Sequence, residues 1–401
     1  MDCGSAGTSL AHARRWFGAG RSTDSDAARA GAEAAAAAVT HPDGKLLIVF
    51  ASESYDLRLL LEGIRDAAPG VPLIGCSTAG EIATSGPGDA GVVVVALGGT
   101  GFAVSTGVGQ NASQRLRTAG AEAAHCLDDL DPAGERPHRV LLLLTDGLAG
   151  DQQEIVRGAY GVVGAGIPLV GGCAGDDLKM STTFQFHGGE LLRDTVVAAA
   201  IASDAPLGIG VRHGWRRVGE PMLVTASADN RVFSLDGQPA LDVYLERLEA
   251  PASARSDPQE FTRFALTHPL GMGRRTGEDQ VRFVGEANFD DRSLGCIAEV
   301  PRGGLAWFME GDRESVLEAT NAACRDALGP LEGQRPLGLL AFDCIARRGV
   351  LGEDGILTEI DQVAENAGGA PVAGFYTYGE IARTRGMTGF HNQTLVVLAV
   401  G

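Results

Sequence analysis

The chain has 401 residues, a formal net charge of −18 and 44% apolar residues, values typical of a soluble globular protein with two or three domains. The acidic balance argues against nucleic-acid partners and anionic membrane surfaces, because both need basic protein surface. The longest apolar runs, residues 92–97 and 196–202, are too short to span a bilayer.

The first 22 residues are polar, lack the apolar core of a secretory signal, and are predicted to be mobile. An odd number of cysteines without a CxxC pair predicts free thiols in a reducing cytoplasm. The seven cysteines are Cys3, Cys76, Cys126, Cys173, Cys296, Cys324 and Cys344.

Apolar strands and amphipathic helices are predicted to alternate along the rest of the chain. An alanine-rich helix is expected to follow Asp26, and a hairpin to turn at Gly188 and Gly189. Further helices are predicted around residues 57–64, over 153–163 and after Thr358. Continuous apolar runs predict buried strands at 46–52, 72–75, 91–97, 140–146, 168–172, 195–202, 337–344, 371–376 and 394–400.

One unit recurs three times in this order: strand, helix, a Pro-apolar-apolar-Gly segment, a loop and a closing strand. Its loop segments read PLIGCSTAGEI from Pro72, PLVGGCAGDD from Pro168 and PVAGFYTYGEI from Pro371. Strands that alternate with helices predict an α/β fold, with layered mixed sheets built from duplicated strand-helix-strand units. We expect two halves, residues 1–235 and 236–401, divided near Asp236.

The loops after the short strands are candidate ligand sites, because small residues leave backbone N–H groups accessible at the carboxyl ends of strands. Hydroxyl, carboxylate and imidazole groups beside them would complete the site; the alternative is that the same residues form turns and helix caps. The candidate ligand-binding residues are Gly75, Cys76, Ser77, Thr78, Gly80, Glu81, Gly171, Gly172, Gly374, Tyr376, Thr377, Glu380, His391 and Asn392.

GCSTAGEI followed by GVVVVAL resembles the N-terminal half of the FIST domain, and PVAGFYTYGEI with FHNQTLVVLAV resembles its C-terminal half. LDGQPALDVYLERL between them is similar to the family's junction. The resemblance implies a bacterial signal-transduction sensor that binds an amino acid or similar small ligand. It also implies a signalling partner, such as a histidine kinase or a cyclic-di-nucleotide enzyme, because the chain shows no output segment of its own.

Some family members that resemble this chain are haem proteins that sense nitric oxide, so the resemblance makes haem a candidate cofactor. Haem iron needs an axial ligand in an apolar pocket. His187 follows Phe184 and Phe186 and is therefore the predicted axial ligand, with a hydrogen-bonded hairpin histidine as the alternative.

Enzyme motifs are missing from the sequence: there is no GxSxG, GxxxxGK[ST], GxGxxG or HExxH. A non-enzymatic sensor is therefore expected. The two alternatives are a protein–protein adaptor without a ligand and an enzyme that uses Cys76 as a nucleophile, with a histidine such as His391 as its base.

Overall fold

Three α/β units of the same topology follow one another along the chain. The computed structural model describes residues 14–128, 130–131, 133–273, 279–384 and 389–401. Unit I comprises β1 Trp16–Ser22, α1 Ala27–Ala38, β2 Gly44–Ala51, α2 Leu57–Ala67, β3 Leu73–Ser77, β4 Glu81–Ala83, β5 Gly86–Gly88 and β6 Val92–Gly98. Unit II comprises β7 Phe102–Gln110, α3 Leu116–Ala124, β8 His138–Thr145, α4 Gln152–Val163, β9 Leu169–Cys173, β10 Gln185–His187, β11 Glu190–Leu192 and β12 Thr195–Ser203.

Unit III is interrupted by an inserted sheet domain after its first strand, β13 Leu207–Arg212. The insert comprises β14 Arg216–Ala228, β15 Arg231–Leu235, β16 Gln238–Pro239, α5 Ala240–Arg247, α6 Pro258–Ala265, β17 Leu270–Met272, β18 Gln280–Arg282, β19 Val284–Asn288, β20 Ser293–Cys296 and β21 Leu305–Glu310. Unit III resumes with α7 Arg313–Leu328, β22 Gly338–Cys344, α8 Ile345–Ala367, β23 Val372–Thr377, β24 Glu380–Arg383, β25 Phe390–His391 and β26 Leu395–Val400.

Each unit forms a mixed sheet in which two neighbouring strands are parallel and joined by a helix. The parallel pairs are β2 with β3, β8 with β9, and β22 with β23. One face of each sheet packs on its own helices, and the other faces a central core shared by all three units. Burial on both faces explains the continuous apolar runs, and the predicted α/β fold of layered mixed sheets is confirmed.

A hairpin from each unit completes the sheet of another unit. The hairpin β4–β5 of unit I pairs with β23 of unit III, and β24–β25 of unit III pairs with β9 of unit II. The hairpin β10–β11 of unit II pairs with β3 of unit I, which closes the cycle. The three units are therefore interlocked by backbone hydrogen bonds.

Glycines on the first strand of each unit allow an alanine-rich helix to approach the sheet closely. A Cβ at Gly18 or Gly20 of β1 would overlap a backbone carbonyl of α1. The same relation holds for Gly107 and Gly109 of β7 beneath α3, and for Gly208 and Gly210 of β13 beneath α7. The repeated Gly-x-Gly pattern thus meets a packing requirement, and at 208–210 it accounts for a motif that does not fit a dinucleotide site.

Two sequence predictions are corrected here. Residues 16–22 are not a mobile start: they form β1, which pairs along its whole length with β6 and buries Trp16 and Phe17. The last helix of unit III begins at Ile345 and not after Thr358, and it kinks at Gly352, where φ is 65°. Glycines and charges within residues 345–355 obscure the helical periodicity.

The insert forms an antiparallel sheet covered on one face by α5 and α6. Asp236, the predicted division between two halves, lies in the turn between β15 and β16 of this sheet. The division itself stays a prediction. None of the helices in the part of the chain that the structure describes is long and apolar enough to cross a membrane.

Candidate functional site

The three loops predicted to bind a ligand lie at the ends of β3, β9 and β23, where they bind one another. The Gly175 amide donates to the Ser77 carbonyl oxygen at 3.1 Å, and the Ala79 amide donates to the Tyr376 carbonyl oxygen at 3.0 Å. The Cys173 amide donates to the carbonyl oxygen of Gly379 at 2.8 Å. Backbone groups that the sequence analysis assigned to a ligand therefore join the units.

The glycines of these loops are required by packing between strands. A Cβ at Gly75, Gly171 or Gly374 would overlap the backbone of the neighbouring parallel strand. At Gly172 it would press on the Thr377 side chain, and Gly80 has a φ of +120°. These positions favour glycine for steric reasons, whatever the ligand.

Two buried glutamates and one glutamine occupy equivalent positions at the start of the three exchanged hairpins. Glu81 accepts from the Thr78 hydroxyl at 2.6 Å and from the Gly91 amide at 2.9 Å. Glu380 accepts from the Thr377 hydroxyl at 2.5 Å and from the Thr394 hydroxyl at 2.7 Å. Burial raises the pKa of Glu81 to about 8 and that of Glu380 to about 7, against these hydrogen bonds.

Gln185 is the third member of this set. In the sheet, Gln185 lies opposite Cys76, the fourth residue of β3. Glu81 and Glu380 lie opposite the fourth residues of β23 and β9, which are Phe375 and Gly172. The Gln185 amide nitrogen donates to the Thr183 hydroxyl at 3.3 Å, and its amide oxygen accepts from the Thr195 hydroxyl at 3.0 Å. The shared role is to tie the hairpin to the closing strand of its own unit.

The remaining predicted ligand residues are also buried. Cys76 is inaccessible to solvent, and burial raises the pKa of its thiol well above the usual value, with a smaller contribution from Cys173. The ring Nε2 of His391 lies 2.9 Å from the Ala382 carbonyl oxygen. Tyr376 and Asn392 are buried, and neither the Tyr376 hydroxyl nor the Asn392 side-chain oxygen has a hydrogen-bond partner among the described residues.

The surroundings of His187 do not fit a haem axial ligand. Its Nε2 lies 3.0 Å from the Thr106 hydroxyl of β7, and its side chain is half-buried. Phe186 is buried in the core beneath α1 and α2, on the opposite face of the strand. The guanidinium of Arg193 covers the Phe184 ring at 4.6 Å. Haem binding stays a prediction, tested by the absorption spectrum of protein purified with haem supplied, and no step below depends on it.

A cleft of about 800 Å³ lies between unit II and the inserted sheet. One wall is the loop 147–151, which joins β8 to α4, together with the first two turns of α4. The other wall is the β14–β15 turn with residues 285–286 and 295–299, and Tyr378 and Phe390 also line the cavity. Ligands of α/β proteins commonly bind at this position, outside the carboxyl ends of strands.

Charged groups of both signs line this cleft. Arg157 pairs with Glu154 on α4 at 2.5 Å and with Glu299 of the insert at 3.7 Å, so one ion pair spans the cavity. Arg231 pairs with Glu286 at 3.2 Å and donates to the Ser293 hydroxyl at 2.9 Å. These pairs are partly solvated, so each contributes little to stability and a ligand could replace it at low cost.

Tyr378 links the cleft to the loop 174–183. Its hydroxyl donates to Asp176 at 2.5 Å and accepts from the Leu178 amide at 2.7 Å. The Asp176 carboxylate accepts from the backbone amides of Met180, Ser181 and Thr182. Met180 itself lines the cleft. A ligand that touches Tyr378 or Met180 therefore contacts the support of this loop.

None of the fourteen ligand-binding residues predicted from the sequence is among the residues that line this cleft. Two neighbours of predicted residues do line it: Tyr378 follows Thr377, and Phe390 precedes His391. The signal that was missed is the loop DGLAGD, from Asp146, which joins a predicted strand to a predicted helix. Among the described residues, no cluster of three or more His, Cys, Asp or Glu side chains is suited to hold a metal ion.

Comparison with known proteins gives a family match over most of the chain. The FIST N domain model matches residues 45–238, and the FIST C domain model matches residues 240–383. An uncharacterised protein of Methanocaldococcus jannaschii is 28% identical over 68% of this chain and 56% of its own length. An uncharacterised protein of Mycobacterium tuberculosis is 25% identical over 57% of this chain and 60% of its own length.

The alignments thus span less than two thirds of these relatives. Among solved structures, Thermotoga maritima PurL complexed with ADP aligns over 96% of this chain and 71% of its own, with 11% identity and a TM-score of 0.23. A TM-score at this level does not establish a common fold.

Proposed function

Because the chain belongs to the FIST family, whose domains are sensory modules of signal transduction, we propose that it is a sensory protein that binds a small ligand in the cleft between unit II and the insert. The observation that carries this proposal is the cavity of about 800 Å³ at the carboxyl end of β8. The loops after β3, β9 and β23, which were predicted to bind the ligand, instead join the three units and so support the walls of this cavity.

An amino acid or a similar zwitterion suits the charges of the cleft. Arg157 and Arg231 would each offer a guanidinium to a carboxylate. Asp229, Glu286 and Glu299 line the same cavity and would receive an ammonium group. The Arg157–Glu299 pair would open as the ligand enters, which changes how the insert is held against unit II.

The output of such a sensor is proposed to be a signalling partner protein, such as a histidine kinase or a cyclic-di-nucleotide enzyme, in the cytoplasm. The loop 174–183 is a suitable contact because Leu178 and Met180 expose 60% and 57% of their surface. Catalysis by Cys76 is disfavoured, because a buried thiol with a raised pKa supplies no thiolate at neutral pH.

The test is a thermal-shift screen of amino acids and related metabolites. A ligand present at about a hundredfold its Kd should add ~2.7 kcal/mol to the free energy of unfolding. Arg231→Gln should abolish that shift, whereas Arg335→Gln, at an exposed position outside the cleft, should retain it.

A shift that survives both Arg231→Gln and Asp229→Asn would place the ligand elsewhere. If no compound shifts the melting temperature while the partner protein still co-purifies, the adaptor alternative replaces the sensor.

A further inference from the structure

Two buried carboxyl groups of unit III share a single arginine. Asp343 is the penultimate residue of β22, Glu359 lies on α8, and Arg347 lies between them; all three side chains are at most 1% exposed. The Arg347 Nε lies 2.7 Å from one Asp343 oxygen, and another guanidinium nitrogen lies 2.5 Å from one Glu359 oxygen. If both carboxyls were ionised, this buried site would hold one uncompensated negative charge, which is very unfavourable.

The second oxygen of each carboxyl is also buried. Asp343 Oδ2 and Glu359 Oε2 have no hydrogen-bond donor among the described residues. One proton shared by the two groups removes the excess negative charge. It also gives the second oxygens a hydrogen bond, because a carboxylic acid O–H then donates to the facing carboxylate. Burial raises the pKa of Asp343 well above its usual range, and the neighbouring Glu359 raises it further, against the attraction of Arg347.

Two described neighbours of the pair, Arg348 and Thr320, do not supply the missing positive charge. Arg348, the residue after Arg347, pairs with Asp89 of unit I and with Glu353. The Thr320 hydroxyl of α7 donates to Glu359 at 2.6 Å but is neutral. The titratable groups that interact with this site also include Glu380 of β24, Tyr376 of β23, Cys324 of α7 and Cys344 of β22, and His213 contributes a carbonyl oxygen to Arg347.

We infer that Asp343 and Glu359 share one proton in the folded protein, and that this proton locks residues 345–351 over the end of β22. This segment precedes the kink at Gly352, where the helical path is interrupted. Arg347 binds β22, α7 and a later turn of α8, and Arg348 reaches Asp89 of unit I. Loss of the proton leaves two carboxylates against one arginine, and exposure of the segment to water relieves that repulsion.

The proton itself is measured by infrared spectroscopy of the full-length protein at pH 9.5, above the pKa values of about 8 and about 7 of Glu81 and Glu380. The wild-type spectrum should contain the C=O band of one protonated carboxyl that both Asp343→Asn and Glu359→Gln remove. Each amide retains an oxygen for Arg347 and supplies an N–H in place of the shared proton, so both variants should fold. Isotopic labelling of aspartate or glutamate carboxyls assigns the band without any substitution. If neither the substitutions nor the labels affect a protonated-carboxyl band, the shared proton is refuted.

The lock is measured by limited trypsinolysis after Arg347 and Arg348, with cleavage after Arg302, which is exposed and precedes Gly303, as the internal reference. The ratio of the two cleavage rates should rise at least tenfold between pH 7 and pH 10 in the wild type and stay level in Glu359→Gln. A ratio independent of pH in the wild type, or an equal rise in Glu359→Gln, would refute the lock. Neither result depends on a ligand in the cleft of unit II.

Discussion

Replacement of Glu81 by glutamine should stabilise the protein at alkaline pH. The Glu81 side chain is 1% exposed, and both of its oxygens accept hydrogen bonds inside the protein. Gln185 already occupies the equivalent position in unit II, where its amide nitrogen donates to a threonine hydroxyl and its oxygen accepts another hydrogen bond. Glutamine therefore reproduces the neutral, protonated form of Glu81.

The sign and size of the effect follow from the raised pKa. Burial raises the pKa of Glu81 from 4.5 to about 8, so between these values the folded state binds a proton that the unfolded chain releases. The free energy of unfolding therefore falls as pH rises through this window, and the loss is complete above pH 8. At ~1.4 kcal/mol per pKa unit, the full effect is on the order of 5 kcal/mol, and for Glu380, with a pKa of about 7, on the order of 3 kcal/mol.

The assay is urea unfolding followed by circular dichroism from pH 5 to pH 9. Glu81→Gln should match the wild type within about 1 kcal/mol near pH 5 and exceed it by several kcal/mol at pH 9. Glu380→Gln should do the same to a smaller extent, and Glu220→Gln, at an exposed position, is the control. A variant with the wild-type pH slope, or one less stable than the wild type at pH 9, would show that folding does not raise the pKa of Glu81 and would refute this reasoning.

Three further predictions concern packing and accessibility. Gly75→Val and Gly374→Val should each cost about 3 kcal/mol or more and give little folded protein by circular dichroism, because the added side chain overlaps a neighbouring strand; folded variants that lose only ligand binding would contradict this. Cys76 should react with iodoacetamide no faster than the protein unfolds, because its thiol is buried with a raised pKa; rapid selective alkylation at pH 7 would restore the enzyme hypothesis. Tyr378→Phe removes hydrogen bonds worth about 1–3 kcal/mol to the loop 174–183, so trypsin should cleave after Lys179 about tenfold faster or more, and an unchanged rate would show that the loop does not depend on this hydroxyl.

Much of the fold could be predicted from local sequence, because its central strands are buried on both faces. β2, β8 and β22 each contain a continuous apolar run, and the segments that begin at Pro72, Pro168 and Pro371 mark the parallel strand that follows each helix. β1 lacks such a run. Its glycines leave room for the backbone of α1, and this need for space depends on how the helix packs on the strand, which the local sequence does not show. The loop residues were recognisable as a repeated motif, but repetition alone does not distinguish a ligand site from a junction between units.

The sequence by itself determined the class of the fold, its repeated units and its family, since these depend on local patterns of burial and turn formation. Only the tertiary structure decided which surface is open to a ligand. Asp229 and Arg231 meet the loop 147–151 across the cleft although about eighty residues separate them, because the insert folds back over unit II. The same holds for the exchanged hairpins: Glu81 belongs to unit I by sequence but pairs within the sheet of unit III. Such contacts depend on how whole sheets pack against one another, so they cannot be predicted from the local sequence around the residues that make them.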